Sequence, residues 1–557
     1  MPVATGPAET LIVNANLFTV PWKTSRPGEL ALREGKIVAV GAPGELADLR
    51  GARTQVVDAE QGLVTPGFHD VHVHPLTAGL VLDTASMLET VEREATIDVI
   101  VRYARERPER EWVTGWGWNQ EAFPPAGPDR ELLDRLVPDR PAYLTRADGH
   151  AAVVNSRALE LAGVADDAPD PEGGRLERYA DGRPTGLLHE WAMKLVQRII
   201  PENTAADRRR GLLRGQDHLL SLGVTSWQDA SVGAEELDAY WDLEQRGELR
   251  AHVRGALWWD AALGFGQLPE LLERRTRYAT THFAPTTVKV MLDGVVEGSR
   301  SAAVLEPYID PATGRGDLGA GKSFLEPAEL NAVVSALAAH GFQVHYHAIG
   351  DRAVREGLDA LEAAAIRHGA PAHPPVISHI QLVHPSDVPR FAALGAVASA
   401  QAYWAALDLT QVQSTIPHLG PERSARQYPF RSLVDAGAVL AGGSDWMISS
   451  AYPMDAIHVA VNRAHFDPPA SGRRYGRDRP GPFYPDNAIT LAEGLAAYTF
   501  GGAWANGTWR ERGRLAPGLR ADLVLLDRDP FAGPADRIAA AQVRAAYIDG
   551  TPLHRSE

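Results

Sequence analysis

Eight short strand-like runs, with helix-length stretches between several of them, constrain this chain's fold more than any other feature. The runs are Val71 to His74, Gly223 to Asp229, His252 to Trp258, Thr287 to Asp293, Gln343 to His347, Val376 to His379, Ala396 to Ala400 and Val439 to Asp445. Helix-like stretches include Ala205 to Leu222, Pro327 to His340 and Arg352 to Arg367. Repeated βα units with near-continuous apolar strands imply a parallel sheet, and eight of them imply a closed (β/α)8 barrel in the α/β class. With 557 residues, 45% of them hydrophobic, the chain has ample material for a large core.

The two ends read differently. Thr10 to about Thr65 shows short strands and turns, with Leu30 to Arg33 and Lys36 to Val40 flanking the hairpin signal Glu34-Gly35. Ala521 to Leu526 and Ala545 to Ile548 are also strand-like, followed by the turn Asp549-Gly550. Residues 1–65 and 505–557 are therefore expected to pair into one small β domain around a barrel of 66–74 and 202–504. The chain between them makes one long excursion, 75–201, after the first strand. It carries its own hairpin signal, Ala180 to Pro184. A connection of that length reads as an inserted subdomain or lid.

The formal net charge of -16 argues against nucleic acid or an anionic membrane as the main partner. Cysteine is absent, so a metal would need His, carboxylate or other N/O ligands. Met1 to Leu11 lacks a basic stretch followed by an apolar one, and no apolar run is long enough to span a bilayer. A cytoplasmic protein is the expectation.

Within the first run, His72 and His74 are two residues apart. On a strand they share a face and can aim two imidazoles at one ion. A lone pair of this kind is more often core or surface than metal-binding. Here, however, Lys289, His347, His379 and Asp445 stand near the ends of other expected strands, where such barrels build active sites. Each also has a plainer reading. Lys289 can pair with Asp293 or Glu297, and Asp445 can cap a helix. His345 and His347 share a face, so either can be the ligand; His69 lies off the His72/His74 face. Asp351 is expected to cap the helix it precedes, and Gln381 and Asp229 are candidates for supporting or substrate-facing roles.

Several strings together resemble the amidohydrolase superfamily, and more closely its amidohydrolase-3 branch of YtcJ-like and N-substituted formamide deformylase-like enzymes. They are Gly67 to Pro75, Val288 to Gly294, His347 to Asp351, Ser378 to Gln381 and Gly443 to Trp446, with Asp148-Gly149-His150, Asn155-Ser156, Pro184 to Leu188 and Gly513 to Val524. The resemblance implies a (β/α)8 TIM barrel with a small β-sandwich from both termini. It implies two divalent ions: one on His72, His74 and Asp445, a second on His347 and His379, bridged by a CO2-derived carbamate on Lys289. The string after His347 selects it over His345. Zinc is the first expectation; iron, manganese and cobalt also suit these ligands. A homodimer is expected from the resemblance alone.

Two such ions would acidify a bridging water and polarise a carbonyl, with Asp445 moving the proton to the departing nitrogen. The expected reaction is hydrolysis of a C–N bond in an amide, N-formyl group or cyclic amide. Deamination or decarboxylation on the same barrel stays open, as does a non-catalytic scaffold, although no ligand position is missing. His150 is a catalytic candidate for contacting the substrate or its oxyanion. Trp118, Asn119, His150, Gln381, Trp404 and Trp446 are the substrate-binding candidates, and their mixture of apolar and polar groups suits a bulky, partly aromatic amide.

Overall fold

The computed structural model describes residues 6–555 except 88–89, 91, 119–121, 124–126, 148, 150, 298, 409 and 467–480. Two compact units emerge, one built on residues 75–215 and one on the chain to either side, which breaks after His74 and resumes at Gln216.

In the larger unit, eight parallel strands pair in chain order into a nearly closed barrel. They are β1 (Phe68–Val73), β2 (Val224–Val232), β3 (His252–Trp258), β4 (Phe283–Met291), β5 (Gln343–Ala348), β6 (Val376–His379), β7 (Val397–Ala400) and β8 (Val439–Gly442). Beyond the strand ends, the Asp445 amide donates to His72 O at 2.7 Å and the His74 amide to Trp446 O at 3.1 Å, drawing the β8 end onto β1. Every residue of β1 and β5 is buried, yet both alternate in character. On β5, Val344, Tyr346 and Ala348 present one face while Gln343, His345 and His347 present the other.

The inward face near the base of the barrel is a hydrogen-bonded layer. Gln228 Nε2 donates to Thr287 Oγ1 at 3.1 Å and to Gln343 Oε1 at 2.8 Å, and Arg254 donates to the same Gln343 oxygen at 3.2 Å. Buried amides persist only when satisfied this way. Here they form a polar floor on which a second layer of side chains can be fixed.

The chain termini meet in a mixed sheet. Leu63–Pro66 pairs antiparallel with Leu523–Leu526, and strands Thr10–Leu17, Arg26–Arg33, Lys36–Gly41, Gln55–Asp58, Val543–Ile548 and Thr551–Arg555 complete it. All eight strands bond into one continuous sheet over a core that includes Ile12, Leu17, Leu30, Ile37, Leu523 and Tyr547. Glu34 and Gly35, at φ 50° and 73°, form the tight turn of the expected hairpin. Gly67 alone links the sheet to β1. A Cβ there would lie 2.2 Å from Thr225 Oγ1, so glycine is what lets the chain pass this close to the Thr225 side chain.

Helices Ala205–Ser221, Pro327–Ala339 and Asp351–His368 occupy the expected stretches. Asp351 does not cap its helix. Gly350 is the N-cap, and the Asp351 carboxylate accepts the Leu305 amide at 2.9 Å, tying down the loop that follows β4. No helix among the described residues is long and apolar enough to cross a membrane.

The unit of residues 75–215 has its own sheet of six strands, in the order Gly174–Arg178, Pro184–Glu190, Ala151–Val154, Ala142–Arg146, Val113–Trp118, Ala85–Ser86. Trp118, expected to face substrate, is 1% exposed. Its indole N–H donates to Leu144 O at 2.9 Å, and its ring meets Phe123 edge-on in the core of this unit. It therefore has no surface to offer a ligand. Trp118→Ala should destabilise this unit by about 3–5 kcal/mol, the cost of truncating a large buried aromatic. Thermal melting and limited proteolysis will read that loss, and an unchanged melting profile would contradict the core assignment. The expectations for Asn119 and His150 fall outside the described residues.

Candidate metal centre

The second layer of the barrel starts from the polar floor. Because both Gln228 Nε2 hydrogens are used, its Oε1 accepts, and the atom beside it is His345 Nδ1. His345 Nδ1 is then the protonated nitrogen, which leaves Nε2 as an acceptor. His345 Nε2 lies 2.9 Å from His72 Nδ1 and 2.7 Å from the Ser378 hydroxyl, both of which can donate to it. A His72 Nδ1–H donated to that nitrogen leaves a bare Nε2 lone pair on the side of Lys289 and Asp445.

At that level the inward residues converge. His72 Nε2 is 3.4 Å from Lys289 Nζ and 3.7 Å from Asp445 Oδ1, and His74 Nε2 is 3.0 Å from the same oxygen. Ligand atoms of His72, His74 and Asp445 all lie within 4.8 Å of one another. The His379 ring sits 4.7 Å from His72 and 4.4 Å from His347. His347 is oriented as His72 is, by its distal nitrogen: Nδ1 lies 3.2 Å from Asp293 Oδ1. Asp293 is fully buried and also accepts the amides of Ile349, Gly350 and Ala303. Lys289 does not pair with it; the opposite charge acting on Lys289 is Asp445.

Burial pushes His72, His345 and His379 well below the usual imidazole range, so these rings are neutral; the His345 nitrogens are both engaged, while His72 Nε2 and the His379 ring keep lone pairs for a cation. Burial also drives Lys289 down to about 7, against the pull of Asp445, so much of it is neutral amine near pH 7. Both ring nitrogens of the buried His379 lack a hydrogen-bond partner. An imidazole is held this way at a cost of about 1–3 kcal/mol, unless something else binds it. His379 and Asp445 have φ of 76° and 53°, conformations that non-glycine residues adopt where surrounding structure imposes them. Four imidazoles, a carboxylate and a deprotonatable lysine form a donor set that fits divalent cations.

Other expected residues divide. Trp404 is half-buried and stacks on His379, with centroids 5.7 Å apart and planes at 17°. Trp446 is largely buried, stacked on His218, and its carbonyl holds the His74 amide. Gln381 is 2% exposed, with Nε2 donating to Glu297 and Gln427. Asp229 is buried at the end of β2, accepts the Tyr240 hydroxyl at 2.9 Å, and is raised to about 7 by burial. His69 lies on the outer face of β1 against Gly502, its pKa pushed by burial down to about 3.

Two features take their place only in the structure. One is the pair of orienting anchors, Asp293 and the Gln228–His345 relay; the Asp293 signal was its place in the Val288-to-Gly294 string. The other is Trp258. It stands in register with Lys289, so both side chains face the barrel mouth, and it is 40% exposed.

Comparison with known proteins agrees with this fold. The amidohydrolase-3 model, described as "Amidohydrolase family", matches residues 55–554. "Protein LONG AFTER FAR-RED 3" of Arabidopsis thaliana is 30% identical, the match covering 98% of this chain and 92% of that protein. The N-substituted formamide deformylase of Arthrobacter pascens is 27% identical over 97% of each chain. Among solved structures, an uncharacterized metal-dependent hydrolase from Pyrococcus furiosus superposes with a TM-score of 0.70 at 27% identity, over 94% of this chain and 99% of that one. The chain belongs to the amidohydrolase family.

Proposed function

We propose that the protein is a metal-dependent hydrolase that cleaves a C–N bond in an amide, N-formyl group or cyclic amide. The observation that carries this reading is the buried Lys289 among His72, His74, His347, His379 and Asp445 at one end of the barrel. His72, His74 and Asp445 would hold one ion and His347 and His379 a second, zinc first, with iron, manganese or cobalt also suited to these donors. Bound there, such ions supply Lewis acidity, bringing a water's pKa toward neutrality and polarising a carbonyl.

The neutral Lys289 amine would add CO2, forming an N–C bond and releasing a proton. A side chain whose ammonium form repels cations would thereby become an anionic oxygen donor able to serve both ligand groups. Asp445 accepts the proton of the attacking water on its carboxylate and returns it to the departing nitrogen. Trp404 and Trp258 offer aromatic surface beside this centre, which suits a bulky, partly aromatic amide. The lysine favours amide hydrolysis over deamination or decarboxylation, because a bridging anion serves two ions.

Purified protein should carry up to two divalent ions per chain by elemental analysis. Active protein with no bound transition metal would reject the metal-dependent reading. A panel of N-acyl and N-formyl compounds, run beside aminated heterocycles and carboxylic acids, tests the reaction class. Amine release only from the first group is the expected result.

A further inference from the structure

The loops that follow β4, β6 and β7 meet at Glu297, a residue with no part in the metal centre. Glu297 stands four residues beyond Asp293, the anchor of His347. Its Oε1 accepts Gln381 Nε2 at 2.9 Å and Thr415 Oγ1 at 3.1 Å. Gln381 lies two residues past His379, and Thr415 lies in the π-helical turn Gln411–Thr415 beyond Trp404. The second Gln381 amide hydrogen goes to Gln427 Oε1 at 3.0 Å. Gln381, Thr415 and Gln427 are each at most 2% exposed.

A half-buried carboxylate is thus gripped on one oxygen by two rigid neutral donors from different elements. Among the described residues it has no cationic partner, and no donor reaches Oε2. Neutral hydrogen bonds fix a carboxylate without cancelling its charge, and a partly desolvated charge attracts an opposite one. The loops that carry Glu297, Gln381 and Thr415 all leave the C-terminal ends of barrel strands, the end at which His347 and His379 lie, so the carboxylate stands at the end of the barrel that holds the candidate site. Single-turn π-helices also recur at functional sites.

We propose that Glu297 is a substrate-specificity anchor whose free oxygen binds an ammonium or other N–H donor on the substrate. The substrate class narrows to amides carrying a cationic or N–H-donating nitrogen away from the scissile bond. This rests on the amide-hydrolase reading for its reaction, although binding can be tested apart from it.

The experiment compares mono-N-benzoyl diamines, with two to four methylenes between the nitrogens, against N-benzoyl alkylamines in which methyl replaces the ammonium group. The wild-type protein should prefer the ammonium compounds by about 10- to 100-fold in kcat/KM, with the difference in KM, as expected for one charge-assisted hydrogen bond. In Glu297→Gln that ratio should collapse toward one. Calorimetric binding of the same pairs to metal-loaded protein supplies a second readout. Glu297-dependent binding of the ammonium compounds without turnover would keep the anchor and remove the hydrolase reading. A wild-type protein with no preference in either measurement overturns the anchor. So does a preference that survives in Glu297→Gln, or an equal loss for both members of each pair with a lowered Tm, the mark of a brace for 411–415.

Discussion

Asp445→Asn should lower kcat by about 100- to 10,000-fold, the range assigned to a positioned general base. The substitution keeps size and shape while removing the ability to accept a proton. Asparagine is also the right probe for the backbone, because Asp445 has φ 53° and asparagine tolerates that left-handed conformation better than alanine. The Asp445 amide will still reach His72 O, so the β8 end stays drawn onto β1. KM should change much less than kcat, since the lost interaction belongs to the proton transfer and not to substrate contact. Metal content must be measured alongside, because Asp445 Oδ1 also faces His72 and His74. A variant that retains its metal and turns over near the wild-type rate would remove Asp445 from the role of base.

How much of this could be read beforehand follows from where the information lies. The eight strands were legible because their outward faces are apolar runs of strand length; β3 and β6 coincide with the expected ranges, while β2 and β4 run longer than expected. The inward face carries chemistry, so His72, Lys289, His347, His379 and Asp445 stood out as ionisable groups at strand ends. The choice of His347 over His345 came from the resemblance. The structure supplies the physical difference: His345 is spent on the Gln228–His72 relay, whereas His347 has a carboxylate behind it and a free nitrogen ahead. Such relays join residues more than a hundred positions apart, and no local pattern encodes them. Trp118 failed for the opposite reason. A Trp-x-Trp strand broken by glycine reads the same whether it walls a pocket or fills a core, and only the partner Leu144 decides. Trp258 needed the parallel register with Lys289 before its direction could be known.

Lys289→Ala should abolish activity and metal retention together. Lys289 Nζ is within 3.4 Å of His72 Nε2, and the carbamate proposed on it is what would join the two ligand groups. The substitution should leave the protein folded. Burial disfavours the ammonium form, as the fall from 10.5 to about 7 records, so removing it takes away a group the folded state holds at a cost. The side chain's space remains beside His72. A short carboxylic acid such as acetate or propionate can enter it and present the two oxygens that a carbamate would have offered. Activity and metal content should therefore return in part, and together, as the acid is titrated in with excess metal. Wild-type protein stripped of metal should in turn need bicarbonate as well as metal to recover. Full activity of Lys289→Ala without any additive would reject the bridging role. Reconstitution of wild type at the same rate without bicarbonate would reject the carbamate and leave Lys289 as a neutral amine beside the ions.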